Sequence, residues 1–193
     1  SPHALQGSFQ PASQCDLCLT AALAGLDSQA YTGAYRTVIG NDERQFNAPG
    51  VRVPMLSLSR VEPPDSPTRP YAGYHSSADT PEIVATERLE TSLAVVLGMI
   101  EAWEKNQYVV NHFKGEVFAS GYGIWIDYRI NPEGHRRLFE IMEHIDGERT
   151  VADIAAALQI PYQAVLEVLD MLTGKGLVSL SRTARPTTPR RKL

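Results

Sequence analysis

A long amphipathic segment between residues 79 and 105 constrains the fold of this chain more than any other feature. Large apolar side chains recur there at the spacing of one helix face: Leu89, Leu93, Val96, Leu97, Ile100 and Trp103. Asp79 or Thr80 is placed to cap the helix, and Pro81 suits its first turn. The sequence therefore predicts a helix that ends near Lys105 and packs its apolar stripe into a hydrophobic core.

The segments before this helix alternate between regular structure and loops. Residues 15–26 are predicted to form a helix capped by Ser13, and residues 35–39 and 51–58 are predicted to form strands. Prolines at positions 63, 64, 67 and 70 predict a surface loop that leads to His75. A histidine held at the end of a loop can serve as a metal ligand or as a proton carrier.

The last third of the chain predicts a small separate unit. Helical patterns cover residues 134–145, 151–158 and 161–172, and a strand pattern covers residues 177–180. Leu138, Ile141, Met142 and Ile145 form the apolar face of the first of these helices. Residues 123–128 are a further possible strand in the connector that precedes them. Three short helices and a strand are typical of a winged-helix-like module.

These patterns predict four regions along the chain. A partial α/β domain covers residues 1–110, a connector 111–132, a winged-helix-like domain 133–181 and a disordered basic tail 182–193. The chain has 193 residues and 43% hydrophobic residues, which is enough for a buried core. Its net charge of -4 gives no general attraction to nucleic acid. No membrane span or signal peptide is visible, so we expect a cytoplasmic protein.

The only cysteines, Cys15 and Cys18, have C-x-x-C spacing. One such pair is half of a structural zinc site, which takes four ligands. The segment before them lacks the strand that a redox motif of the thioredoxin type requires. We therefore favour two thiols on an ordinary helix.

Four segments in register carry a resemblance to a known family. They read GNDERQFNAPG at residues 40–50, YHSSAD at 74–79, NHFKGE at 111–116 and DGERTVADIA at 146–155. Together they resemble bacterial aminopeptidase-like proteins of the DUF4910 type, which are relatives of the M28 zinc peptidases. The resemblance extends over most of residues 30–181.

The resemblance implies the C-terminal portion of a three-layer α/β/α zinc-peptidase-like domain, followed by the winged-helix-like module. By position in the family motifs, His75 would be a zinc ligand. Asp42 and Glu43 would lie at the catalytic centre, and Arg44, Tyr74 and Asp79 would contact or position the substrate. Family members are about twice as long and carry their other ligands in the preceding half. The resemblance thus implies a second polypeptide that supplies those ligands, or a homo-oligomer, and a peptide or amide substrate.

Two other functions are compatible with the same residues. The winged-helix-like module also resembles small modules that bind precursor peptides, which would make the chain a non-catalytic peptide- or protein-binding protein. DNA binding is the weaker alternative. The predicted helix over residues 161–172 contains Glu167 and Asp170 and no basic residue, so it would repel phosphates.

Overall fold

The structure, a computed structural model, describes residues 1–186, and the last part of the predicted disordered tail, residues 187–193, lies outside the described residues. The chain is a mixed α/β protein with small sheets, and it divides into two compact units, Ser1–Trp103 and Glu104–Leu193. None of the helices in the described residues is long and apolar enough to cross a membrane.

The first unit is built on a three-stranded sheet. Its strands are β1 (His3–Gln6), β2 (Tyr31–Gly33) and β3 (Ser57–Arg60), in the order β2-β1-β3. β1 runs parallel to β2, with Leu5 opposite Thr32, and antiparallel to β3, with Leu5 opposite Leu58. All four residues of β1 are buried, as expected for the central strand of a covered sheet.

Helix α1 (Gln14–Leu26) connects β1 to β2 and confirms the predicted helix. Ser13 caps it, because its side chain accepts a hydrogen bond from the backbone N–H of Asp16. Cys18 is buried and Cys15 half-buried on this helix, and no disulfide joins the two. Burial, together with the neighbouring carboxylate of Asp16, raises the pKa of the Cys15 thiol. A raised thiol pKa disfavours the reactive thiolate.

The prediction of a strand over residues 35–39 is wrong, because this segment forms a turn after β2. The Thr37 N–H donates to the Ala34 carbonyl, and the N–H groups of Val38 and Ile39 donate to the side-chain oxygen of Gln6. The Gln6 amide thus satisfies the backbone groups that a neighbouring strand would otherwise have paired. The strand predicted over residues 51–58 is confirmed only at its end, where β3 begins at Ser57.

Helix α3 (Thr86–Lys105) confirms the existence of the long helix and corrects its position. Pro81 lies instead in a separate 3-10 helix, Pro81–Ile83, and the Thr80 side chain makes no capping hydrogen bond there. The buried residues of α3 are Val95, Met99 and Ala102. Val95 and Met99 pack against Leu5 and Leu23 in the core of the first unit. The short α2 (Glu43–Phe46) precedes this helix in the chain.

The prediction that the apolar stripe of α3 is core is wrong for this chain. Its side chains are 39% to 59% exposed: Leu89, Leu93, Val96, Leu97, Ile100 and Trp103. The helix turns a different face, centred on Met99, toward the sheet. Periodicity identified an apolar face correctly, but it could not show whether this polypeptide covers that face.

The second unit contains three main helices and a two-stranded sheet. The helices are α5 (Pro132–Glu143), α6 (Val151–Leu158) and α7 (Tyr162–Gly174), and α4 (Ala119–Tyr122) is a single turn. Strand β4 (Tyr108–Asn111) pairs antiparallel with β5 (Val178–Ser181). The predicted core residues of the first helix are confirmed as buried: Leu138, Ile141, Met142 and Ile145. A capping box between Thr150 and Asp153 starts α6.

The strand considered over residues 123–128 is wrong, since these residues form no strand. The partner of the C-terminal strand is β4, which lies at the start of the unit. Three helices with a two-stranded sheet are compatible with the predicted winged-helix-like module, whose identity stays a prediction.

Candidate functional site

The segment that carries His75 is a succession of tight turns. Ser76 donates from both its N–H and its hydroxyl to the Gly73 carbonyl, at 3.0 and 2.7 Å, and the Asp79 N–H donates to the Ser76 carbonyl at 3.1 Å. His75 itself adopts a φ of 55°, in the left-handed region. A non-glycine residue is uncommon in that region, and such residues concentrate at functional sites.

The turns present the His75 imidazole at the surface. Its ring stacks on that of Tyr74, with centroids 3.9 Å apart and planes inclined by 16°. Tyr74 in turn meets Tyr71 edge-on at 5.3 Å. The Asp79 carboxylate accepts a hydrogen bond from the Tyr71 hydroxyl at 2.9 Å rather than from His75. That hydrogen bond to Asp79 raises the pKa of Tyr71.

The three residues predicted near the catalytic centre have different environments. Asp42 and Arg44 are exposed, and the Arg44 Nε donates to the Asn41 carbonyl at 3.0 Å. Glu43 is buried, with only 2% of its surface exposed. Asp42 precedes α2 without a side-chain capping bond. Asp42 and Arg44 are therefore open to a ligand, whereas Glu43 is part of the interior.

The Glu43 carboxylate is held by a buried polar network. Gln6 Nε2 donates to Glu43 Oε1 at 3.0 Å, and the Asn41 N–H lies 3.1 and 2.9 Å from the two carboxylate oxygens. Asn47 donates to the Glu43 and Met55 carbonyls at 2.8 and 2.9 Å, and its oxygen accepts the Phe9 N–H. These bonds join β1 to α2 and to the loops on either side of it.

The described residues contain no group of three or more His, Cys, Asp or Glu side chains that could hold a metal ion. No hydrogen bond, ion pair or ring contact within residues 1–186 joins His75 to Asp42, Glu43 or Arg44. A hydrolytic zinc takes about three protein ligands and an open position for water. The residues that the structure describes therefore do not by themselves fit such a site.

A polar cluster in the first unit has no local signal in the sequence. His3 Nδ1 lies 2.7 Å from Asp27 Oδ2, and His3 Nε2 lies 3.0 Å from the Ser92 hydroxyl. These contacts span 24 and 89 residues of sequence, so no local pattern signals them. The Ser92 hydroxyl also accepts from Arg60 Nε at 2.8 Å and donates to the Arg88 carbonyl at 2.8 Å.

The order carboxylate, imidazole, hydroxyl resembles a nucleophilic triad, but the hydroxyl is already fully engaged. A serine hydroxyl offers one hydrogen and two lone pairs, and three partners surround Ser92. Each side-chain nitrogen of Arg60 makes one hydrogen bond, Nε to Ser92, Nη1 to the Ser1 carbonyl and Nη2 to Thr91, which holds the guanidinium in the cluster. The cluster therefore anchors α3 to β1 rather than forming a reactive centre.

This cluster predicts an acid-dependent loss of stability. The hydrogen bond from His3 holds the pKa of Asp27 below its usual value. Asp27 therefore contributes stability that is complete above its unfolded-state pKa of about 3.9 and is lost as the pH falls through the lower folded-state pKa. We expect Asp27→Asn to be less stable than the unchanged chain at neutral pH, and the difference to shrink below about pH 4.

Urea unfolding of both proteins between pH 3 and 7 measures this difference. Asp65→Asn is the matched control, since Asp65 is an exposed loop carboxylate. An Asp27→Asn difference that stays constant over the whole pH range contradicts the prediction.

Comparisons with known proteins identify the family to which this chain is similar. The model of the family described as "Domain of unknown function (DUF4910)" matches residues 2–106, which is more than half of the chain. A Clostridium acetobutylicum protein, named as a candidate polysaccharide biosynthesis protein with an aminopeptidase-like domain, is 28% identical over 148 residues. That match covers 73% of this chain and 32% of the relative, so the chain spans about a third of the relative's length.

A crystal structure from the same organism, named as a candidate peptidase, has the same fold. The similarity has a TM-score of 0.74 and 22% sequence identity. It covers 94% of this chain and 39% of that structure. The fold of nearly the whole chain is thus found inside a considerably larger protein.

Proposed function

We propose that this chain, which belongs to the DUF4910 family, is the C-terminal portion of an aminopeptidase-like hydrolase whose metal site is completed by another polypeptide. The expected cofactor is zinc, and the expected substrate contains a peptide or amide bond. The observation that carries the proposal is the conformation of His75. Its exposed imidazole is held in a strained backbone conformation by consecutive turns, in the segment where the family resemblance places a ligand.

The surrounding residues have distinct proposed roles. Stacking on Tyr74 restricts the His75 ring to one plane, and the Tyr71–Asp79 hydrogen bond stiffens the same loop. Arg44 could bind a substrate carboxylate, since only its Nε is committed to Asn41. Asp42 and Glu43 remain the proposed carboxylates of the catalytic centre, with Glu43 held by its buried network.

The fit of zinc to this chain is partial, because His75 is one ligand and about three are needed. We therefore do not expect the isolated chain to catalyse zinc-dependent hydrolysis. The relatives named for an aminopeptidase-like domain and for a peptidase are much longer than this chain, which is compatible with ligands outside it. The finer assignments, a three-layer sandwich with a winged-helix-like module and a heteromeric assembly, belong to the same proposal.

Co-expression tests the proposal. The chain is produced together with the part of the Clostridium acetobutylicum relative that it does not match, and the purified complex is assayed for zinc and for hydrolysis of aminoacyl anilides. We expect stoichiometric zinc, and we expect His75→Ala to remove most of both the metal and the activity. His112→Ala is the control, because His112 bonds Ser179 in the second unit. A zinc-free complex, or an unchanged His75→Ala complex, contradicts the proposal.

A cleft in the second unit favours a second candidate function, peptide binding. Its volume is 730 Å³, and aromatic side chains line it together with carboxylates: Phe113, Trp125, Phe139, Glu116, Glu140 and Glu143. Aromatic walls with a few polar groups are typical of binding sites for small ligands and peptides. A peptide partner that co-purifies with the chain without metal or hydrolysis, and that is lost in Phe139→Ala, favours this alternative.

A further inference from the structure

One face of α3 is an exposed apolar surface, the outer stripe, formed by Leu89, Leu93, Val96, Leu97, Ile100 and Trp103. Leu89 and Leu93 are each 59% exposed, and Trp103 is 46% exposed. Single exposed apolar residues are normal, but a continuous run of large ones along a helix marks an interaction surface.

The helix that carries the outer stripe is firmly held. Val95, Met99 and Ala102 bury its inner face, and Ser92 is tied to His3 and Arg60 by hydrogen bonds of 3.0 and 2.8 Å. Rotation of α3 to bury the stripe would break these contacts. The stripe is therefore presented in a fixed orientation by a rigid element.

The spacing of the stripe indicates the shape of its partner. Leu89, Leu93, Val96, Ile100 and Trp103 follow one another at intervals of four, three, four and three residues. This alternation is the heptad pattern by which one α-helix packs along another at a shallow angle.

Charge distinguishes a second copy of the chain from a different partner. At the positions next to the heptad seam lie Glu90, Leu97 and Glu104 on one side, and Ser92 and Met99 on the other. None of these is basic, so a second copy packed along the same seam would place no positive side chain from these flanking positions beside the two carboxylates. A helix with lysine or arginine beside its apolar seam would pair with both.

We propose that the outer stripe is the docking surface for an amphipathic α-helix of a different polypeptide, with apolar residues at heptad spacing and basic residues beside them. The Clostridium acetobutylicum relative is about three times as long as the matched region and leaves ample chain for such a helix. That this helix belongs to the polypeptide that completes the metal site rests on the proposed function. The docking surface itself does not.

Two synthetic helices test the surface directly. Both have three heptads with leucine at the seam positions, and they differ only in carrying lysine or glutamate at the flanking positions. Binding is followed by Trp103 fluorescence in a Trp125→Phe background, which removes the only other tryptophan. We expect the lysine peptide to shift the Trp103 emission to the blue and to bind at least about tenfold more tightly than the glutamate peptide at low salt.

A charge placed in the stripe supplies the matched comparison. Leu93→Glu is expected to weaken binding of the lysine peptide by about tenfold or more, since it buries a carboxylate in the seam. Val51→Glu is the control, because Val51 is similarly exposed, at 54%, but lies outside the stripe. Equal binding of the two peptides, binding of neither, or no effect of Leu93→Glu overturns the proposal.

Three further results distinguish this proposal from docking of a second copy and from the proposed function. A stable dimer of the chain that Leu93→Glu dissociates overturns it in favour of a second copy. A zinc-loaded co-expressed complex that still forms with Leu93→Glu contradicts the assignment of the docking helix to the polypeptide that completes the metal site, and leaves the proposed function standing. Selective binding of the lysine peptide, combined with a zinc-free complex, supports the docking surface and contradicts the proposed function.

Discussion

Replacing Glu43 with alanine is expected to lower the free energy of unfolding by about 2–4 kcal/mol. Glu43 is 2% exposed, and its carboxylate accepts hydrogen bonds from Gln6 Nε2 and the Asn41 N–H. Alanine leaves both donors without their partner, and each buried donor left unpaired costs about 1–3 kcal/mol. Gln6, which is fully buried, would also lose part of the support for the turn that contains Val38.

Urea unfolding followed by Trp103 fluorescence, again in the Trp125→Phe background, measures the effect on the first unit. Asp42→Ala is the matched control, since Asp42 is the adjacent acidic residue, is exposed and makes no capping bond. Its expected effect is within about 0.5 kcal/mol. Equal destabilisation by the two substitutions contradicts the buried network as the cause.

Glu43→Gln separates the structural role of Glu43 from the proposed catalytic one. The glutamine oxygen can still accept from Gln6 and Asn41, so the stability should fall by less than in Glu43→Ala. Its side chain is neutral and cannot act as a base. A stable Glu43→Gln chain in an active complex with unchanged hydrolysis excludes Glu43 as a catalytic carboxylate.

The second large effect is expected at Asp16, which the sequence analysis did not single out. This residue is 4% exposed and lies in the first turn of α1. Its carboxylate accepts from the Ser8 N–H at 2.7 Å, from the Ser8 hydroxyl at 2.6 Å and from the Ser13 hydroxyl. It thereby joins the end of β1 to the start of α1, and its negative charge interacts favourably with the positive N-terminal end of the helix dipole.

We expect Asp16→Ala to destabilise the chain by about 2–4 kcal/mol, because hydrogen bonds to a charged group are worth about 1.5–3 kcal/mol and a buried N–H is left unpaired. The same urea measurement gives the value. Ser8→Ala removes one hydroxyl but keeps the backbone bond, and we expect about 1 kcal/mol. A double-mutant cycle of the two substitutions should show coupling. Strictly additive effects would mean that Asp16 acts through the helix end alone.

The helices were the most predictable part of this protein. α1, α5, α6 and α7 follow from local signals: Ser13 and Thr150 as caps, and apolar residues three or four positions apart. The strands were harder. Residues 35–39 are rich in β-branched side chains, yet the Gln6 side chain, about 30 residues away in sequence, takes their backbone hydrogen bonds. The strand β4 was missed because its partner lies some 70 residues later.

The predicted site could be judged only in part from the sequence. The resemblance identified the segment around His75, and the structure adds the left-handed backbone and the ring stacking of that residue. The sequence could not distinguish the exposed Asp42 from the buried Glu43, because the two are adjacent acidic residues with no pattern that separates them. The cluster of His3, Asp27 and Ser92 depends on three distant elements and has no local signature.

By itself the sequence determined that α3 is an amphipathic helix with an apolar stripe, because helical periodicity depends only on residue spacing. Only the tertiary structure decided which face of α3 is buried. Burial depends on what the sheet and α1 can cover, and they cover Val95, Met99 and Ala102 instead of the stripe. Burial of apolar side chains is favourable with any partner that excludes water. The sequence therefore indicates that the stripe is a surface to be buried, and the fold shows that this surface of the chain remains exposed.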